Sequence, residues 1–79
     1  MDKIIDTICT LLAPYNSEQK VLVATTDIPA ELNIDSVGVL DFIMEVEDRF
    51  DIEIPMNVVA ETRTIGDLAK FVESQLNKA

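Results

Sequence analysis

The pair Asp35-Ser36 sets a hydroxyl beside a carboxylate near the middle of a 79-residue chain. A serine hydroxyl becomes a nucleophile when a base stands next to it. The chain offers no imidazole for that role, since it has no histidine to titrate near neutral pH. Its single cysteine, Cys9, also lacks a base close in sequence and reads as a small apolar packing residue. The only glycines, Gly38 and Gly66, cannot form a phosphate-cradling loop, and no Cys/His spacing suits a metal. The acids Asp41, Glu45, Glu47 and Asp48 crowd one stretch, where carboxylates are solvated surface more often than acid/base partners. Catalysis by this chain alone is not expected.

The charge balance points the same way. Fifteen acidic residues against 6 basic ones give a net charge of −9. Nucleic-acid binding needs Lys and Arg to displace counterions from phosphates, so it is excluded, and basic partners are favoured. The excess is local. Between Glu31 and Glu61 nine acids face a single base, Arg49, giving −8, while the other residues sum to −1. The length makes one small domain, able to bury somewhat more than about 60% of its unfolded surface. The 48% apolar content is ordinary for a globular chain and too high for disorder. One cysteine cannot form an internal disulfide. No apolar run approaches the roughly 20 residues of a membrane span, and no signal-peptide core opens the chain. A soluble, cytoplasmic monomer is expected.

The elements that must hold Ser36 follow from periodicity. Ile4, Ile5, Ile8, Leu11 and Leu12 form one helical stripe, and Pro14 should stop that helix near Ala13. Residues 14–35 read as a long ordered loop pinned by Ile28 and Leu32. Val21 to Thr26 has strand propensity but no evident mate. Ser36 to Phe50 reads as a strong helix whose core face is Val39, Phe42, Ile43, Val46 and Phe50. A second apolar line, Val37, Leu40 and Met44, lies roughly 140° around from the first. A helix needs one buried stripe, so the second asks for a reason. Ile54-Pro55 should open a short helical turn to about Ala60, with Pro55 at its first position. Thr64-Ile65-Gly66-Asp67 looks like a capping box, with the stripe Ile65, Leu68, Ala69, Val72 and Leu76 running on from it. The expected fold is all-α: a small four-helix bundle of three main helices and one short one, with a long first loop.

Asp and Ser are both favoured helix caps, and one of them is expected to cap the long helix. A hydroxyl at that position is also a suitable attachment point for a phosphodiester, because the unpaired amides and dipole of a helix start favour an anion. The run Leu32-Asn33-Ile34-Asp35-Ser36-Val37, the acidic helix with Leu40, Glu45 and Glu47, and Phe50-Asp51-Ile52-Glu53-Ile54-Pro55 together resemble the acyl carrier protein family. The resemblance runs from about Asp27 to the C-terminus, with a compatible first helix and length, so residues 1–79 read as one acyl-carrier-like domain.

The resemblance implies that Ser36 carries a 4′-phosphopantetheine arm, transferred from coenzyme A by a separate phosphopantetheinyl transferase. Asp35 would then sit near the transferase's Mg²⁺, and acyl groups would ride as thioesters to the enzymes of fatty-acid, polyketide or other specialised acyl biosynthesis. It also supplies a reason for the second stripe. Val37, Leu40 and Met44 would be a docking patch rimmed by Asp41, Glu47 and Asp48, facing acyl-loading and acyl-processing enzymes with basic surfaces. Alternatively, Leu40 and Met44 extend the core under the long loop.

Two positions depart from the family pattern. Asn33 stands where the family usually has Gly, and it tolerates a left-handed backbone. Gly38 stands where an acid is common, at a cost of roughly 1 kcal/mol in helix propensity relative to Ala. A specialised carrier fits that departure. Two rival readings remain: an aminoacyl or peptidyl carrier with the same arm, and an unmodified acidic scaffold module.

Overall fold

A computed structural model describes residues 2–77. Among them five helices follow one another: α1 (Asp2–Leu12), α2 (Ile28–Glu31), α3 (Ser36–Phe50), α4 (Met56–Glu61) and α5 (Ile65–Leu76). A single 3-10 turn, Ala13–Tyr15, extends α1. The fold is therefore the expected small all-α bundle, with three long helices. The additional helix, α2, lies inside the long connection, where the sequence suggests only loop. Its local cause is legible: Asp27 caps it by accepting the Ala30 amide, and Glu31 reaches back to the Asp27 amide.

α1 packs on α5 and α3. Ile8 and Leu12 of α1 meet Phe42, Ile43 and Val46 of α3 and Ile65, Leu68, Ala69 and Val72 of α5 in one buried cluster. Ile28 and Leu32 are buried in it too, so the long loop is pinned at the two expected residues. Val39 and Phe50 are only half-buried against this core, and Leu76, at the end of its stripe, is 41% exposed. No strand occurs among the described residues. Val21–Thr26 is indeed loop, and the one β-type pairing among them joins Asp27 to Thr64.

The loop is nevertheless well anchored. Thr26 is buried, its hydroxyl accepts the Val23 amide, and its carbonyl accepts the Ile65 amide. The Gly66 amide donates to Ala24 O at 2.7 Å, an approach so close that a Cβ on Gly66 would stand 3.0 Å from that oxygen. Tyr15 sets its ring edge against Phe42, with centroids 6.1 Å apart, and its hydroxyl donates to Glu45.

Two boundaries differ in detail from expectation. α1 ends at Leu12, and Pro14 sits within the adjoining 3-10 turn instead of terminating helical structure at Ala13. α4 begins at Met56, because Pro55 is its N-cap at φ −62°, ψ 154° and not its first helical residue. Ile54, before it, is buried in an extended connection. Thr64 and Asp67 form the full reciprocal capping box of α5.

Candidate functional site

Asn33, Asp35 and Ser36 build the start of α3 between them. Asn33 takes a left-handed backbone, φ 52°, which turns the chain out of α2. Asp35 is then extended (φ −77°, ψ 174°), and its Oδ1 accepts the Gly38 amide at 2.8 Å. Asp35 is therefore the residue that caps the helix, and the Ser36 hydroxyl is not consumed by capping. Ser36 is the first residue of α3 and is exposed. An exposed hydroxyl on the first turn, where backbone amides lack intrahelical partners, suits a covalently held phosphate.

Ser36 also edges a cavity of about 360 Å³, walled by Pro29, Ile34, Val39, Leu40, Met56, Val59 and Ala60. A smaller pocket of about 190 Å³ shares Pro29, Val39, Val59 and Ala60 and continues towards Phe42 and Ile43. An apolar recess thus opens beside the serine and runs between α2, α3 and α4. Sequence reasoning missed the residues of α2 and α4 that form it. Met56, 66% exposed at the recess, carried no signal beyond being apolar next to a proline.

The second stripe of α3 is surface. Val37 and Met44 are 66% and 61% exposed and Leu40 is 38% exposed. Asp41 and Asp48 are exposed, four and eleven residues after Val37, which brings them onto the same side of the helix. Glu47 differs. It is half-buried, and its Oε2 accepts the Ile54 amide at 2.7 Å, so this carboxylate ties the α3–α4 connection to the helix. The ion pairs among the described residues join Lys20 to Glu18 and Arg63 to Asp27. Neither involves an acid of α3, so no ion pair among the described residues offsets the negative face there.

Cys9 is half-buried, and burial, with Asp6 nearby, pushes its thiol up from the ordinary value. A thiol held protonated is a poor nucleophile, in keeping with a packing role. No group of three or more metal-ligating side chains occurs among the described residues. None of their helices is long and apolar enough to cross a membrane.

Fold and site together define a small acidic helical bundle that presents a serine hydroxyl at the start of a helix, beside an apolar recess. The phosphopantetheine attachment site family is matched over residues 2–72, and the chain belongs to that family, that of the acyl carrier proteins. A probable acyl carrier protein of Caulobacter vibrioides (strain NA1000 / CB15N) is 39% identical over 56 residues, 71% of this chain and 65% of that one. The match therefore spans slightly less than two thirds of that relative. The acyl carrier protein of Prochlorococcus marinus (strain MIT 9515) is 28% identical over 75 residues, 94% of each chain. That of Brachyspira hyodysenteriae (strain ATCC 49526 / WA1) is 32% identical over 57 residues, 72% of this chain and 73% of the other.

The cofactor that membership implies is 4′-phosphopantetheine. The chain fits it: an exposed hydroxyl, free of capping, at the first position of a helix, and an apolar recess alongside.

Proposed function

We propose that Ser36 is the attachment residue and that the protein carries acyl groups between partner enzymes. The observation that carries the reading is the division between Asp35, which caps α3, and Ser36, which stays exposed at the first position of the same helix. In the transfer step Ser36 Oγ attacks the phosphorus of coenzyme A that bears the pantetheine. The new Oγ–P bond replaces the P–O bond to the leaving 3′,5′-adenosine bisphosphate. The Ser36 proton passes to a base of the transferase, since this chain has no histidine and Asp35 is held as the helix cap. Asp35 Oδ1 is engaged by the Gly38 amide, so Oδ2 would be the oxygen left to face the transferase's Mg²⁺. When bound, the cofactor supplies a terminal thiol that holds acyl groups as thioesters.

Val37, Leu40 and Met44 form the apolar centre of the docking surface, with Asp41 and Asp48 as the charged rim that steers basic partners. Glu47 contributes by holding the adjoining connection in place and adds negative charge to the same region. Partners are the transferase and the enzymes that load and process acyl groups, of fatty-acid or specialised pathways. Net charge of −9 disfavours self-association and supports a monomer.

Acyl cargo is favoured over aminoacyl cargo by the recess beside Ser36, whose walls are apolar side chains suited to a hydrocarbon tail. The test is to load Ser36 with arms bearing an acyl or an aminoacyl thioester and measure cleavage by hydroxylamine. An acyl thioester cleaved more slowly than an aminoacyl one, relative to the same thioesters on free pantetheine, supports the reading. Equal relative rates contradict the cargo assignment while leaving attachment at Ser36 intact.

A further inference from the structure

Gly38 lies in the first turn of α3 with an ordinary helical backbone, so its conformation does not call for glycine. In such a place glycine weakens the helix relative to alanine. The structure supplies a different reason, which is space. A Cβ at residue 38 would stand 2.6 Å from Ile34 Cγ2 and 3.2 Å from Asp35 Oδ1. Non-bonded carbons rest at about 3.5–4.0 Å, so the Ile34 methyl occupies the volume that a side chain at 38 would fill. Cγ2 branches directly from Cβ and moves only by rotation about a stiff χ1, so displacing it displaces the whole side chain.

Ile34 faces two ways. It packs on the core while half-exposed, and it walls the recess beside Ser36 together with Val39, Leu40, Met56 and Val59. A bulky β-branched side chain at that wall reduces the cross-section of the recess.

We propose that Gly38 seats Ile34 in the wall of the recess, and that Ile34 thereby makes the recess discriminate between acyl chains by cross-section, favouring straight over branched or aromatic ones. The inference rests on the acyl-sheltering reading above. Trimming Ile34 to alanine widens the recess, and a side chain at 38 moves Ile34 from its seat, so both changes act on the same selection.

Two measurements on the intact chain test it. In the first, the melting temperature of the unmodified protein is compared for Gly38→Ala, Ile34→Ala and the double variant. In the native background Gly38→Ala loses its helix-propensity gain to the collision and lowers the melting temperature. In the Ile34→Ala background the same change raises it, with a difference between the two shifts of about 4 °C or more. The contact with Asp35 Oδ1 persists in both backgrounds and cancels in the comparison. Equal shifts in the two backgrounds overturn the coupling.

In the second, Ser36 is loaded with straight-chain, branched-chain and aromatic acyl arms, and the hydroxylamine cleavage rate of each is measured. The native chain protects straight arms better than branched or aromatic ones, and Ile34→Ala cuts that preference by about tenfold, the lower end of what one methylene is worth in an apolar pocket. An unchanged preference in Ile34→Ala overturns the selective role, as does a native chain that protects all arms alike. Failure of Ser36 to accept any arm is a different result: it removes the carrier reading, and the selective role falls with it, while the melting comparison still decides the coupling.

Discussion

Asp35 and Ser36 are neighbours with separate duties, and substitution should separate them. Asp35→Ala removes the acceptor for the Gly38 amide and should cost about 1 kcal/mol, as N-cap deletions do, in a urea unfolding curve. Ser36→Ala touches an exposed hydroxyl that caps nothing and should leave the midpoint within about 0.5 kcal/mol of the native value. A larger loss at Ser36 than at Asp35 would reverse the assignment of cap and attachment residue. Asp67 gives a pH signature at the same scale. The Thr64 amide, which donates to Asp67 Oδ2, and then the Thr64 side chain hold its carboxyl below the usual 3.8. A lowered value in the folded state stabilises the fold above the unfolded value, and that contribution disappears as pH falls through the folded one. Acid unfolding tracked from about pH 4 downward should therefore be shallower in Asp67→Asn than in the native chain, and identical slopes would contradict the capping box. The Asp35-Ser36 pair was legible from residue types alone. Which of the two does the capping was not, because both side chains are competent caps and only the backbone, extended at Asp35 and helical at Ser36, decides.

Among the elements, α3 is fixed at both ends and tied to the connection that leads to α4. Asp51 ends it in a left-handed conformation at φ 55°, and Glu47 reaches forward to the Ile54 amide. That carboxylate links α3 directly to the connection, and through it to the α4 wall of the recess. Glu47→Ala should cost about 1–3 kcal/mol and accelerate hydrogen exchange at the Ile54 amide more than at amides in mid-α3. Unchanged exchange at Ile54 would show that the connection is held by packing of Ile54 alone. The long helices were readable because each runs for 11 residues or more and carries an apolar stripe at helical spacing. α2 was not, since 4 residues give no periodicity, though the Asp27…Glu31 reciprocal caps were a local signal. The recess was invisible for a deeper reason: Pro29, Ile34, Leu40 and Met56 lie on four different segments, and only the packed bundle brings them together.

At the scale of the molecule, the radius of gyration, 11.5 Å, matches the roughly 11.6 Å expected of a compact chain of this length. Almost all of its net charge is concentrated on α3 and the segments flanking it, with no ion pair to an α3 acid among the described residues. Like charges so placed repel, and salt screens them over a Debye length of about 8–10 Å at physiological ionic strength. Moderate salt or millimolar Mg²⁺ should raise the melting temperature, whereas a melting temperature indifferent to both would mean that the acidic face is already relaxed. The same face should make encounters with basic partners fast and salt-sensitive, so that added salt slows association more than it speeds dissociation. Charge and composition made this much legible before any fold was known, because net charge depends on no packing detail.

The central claim is covalent modification of one hydroxyl, and intact mass reads it directly. With coenzyme A, Mg²⁺ and a promiscuous phosphopantetheinyl transferase, the native chain should gain one arm, about 340 Da, and Ser36→Ala should gain nothing. A native chain that stays at its starting mass, or a Ser36→Ala chain that still takes up the arm, would contradict it.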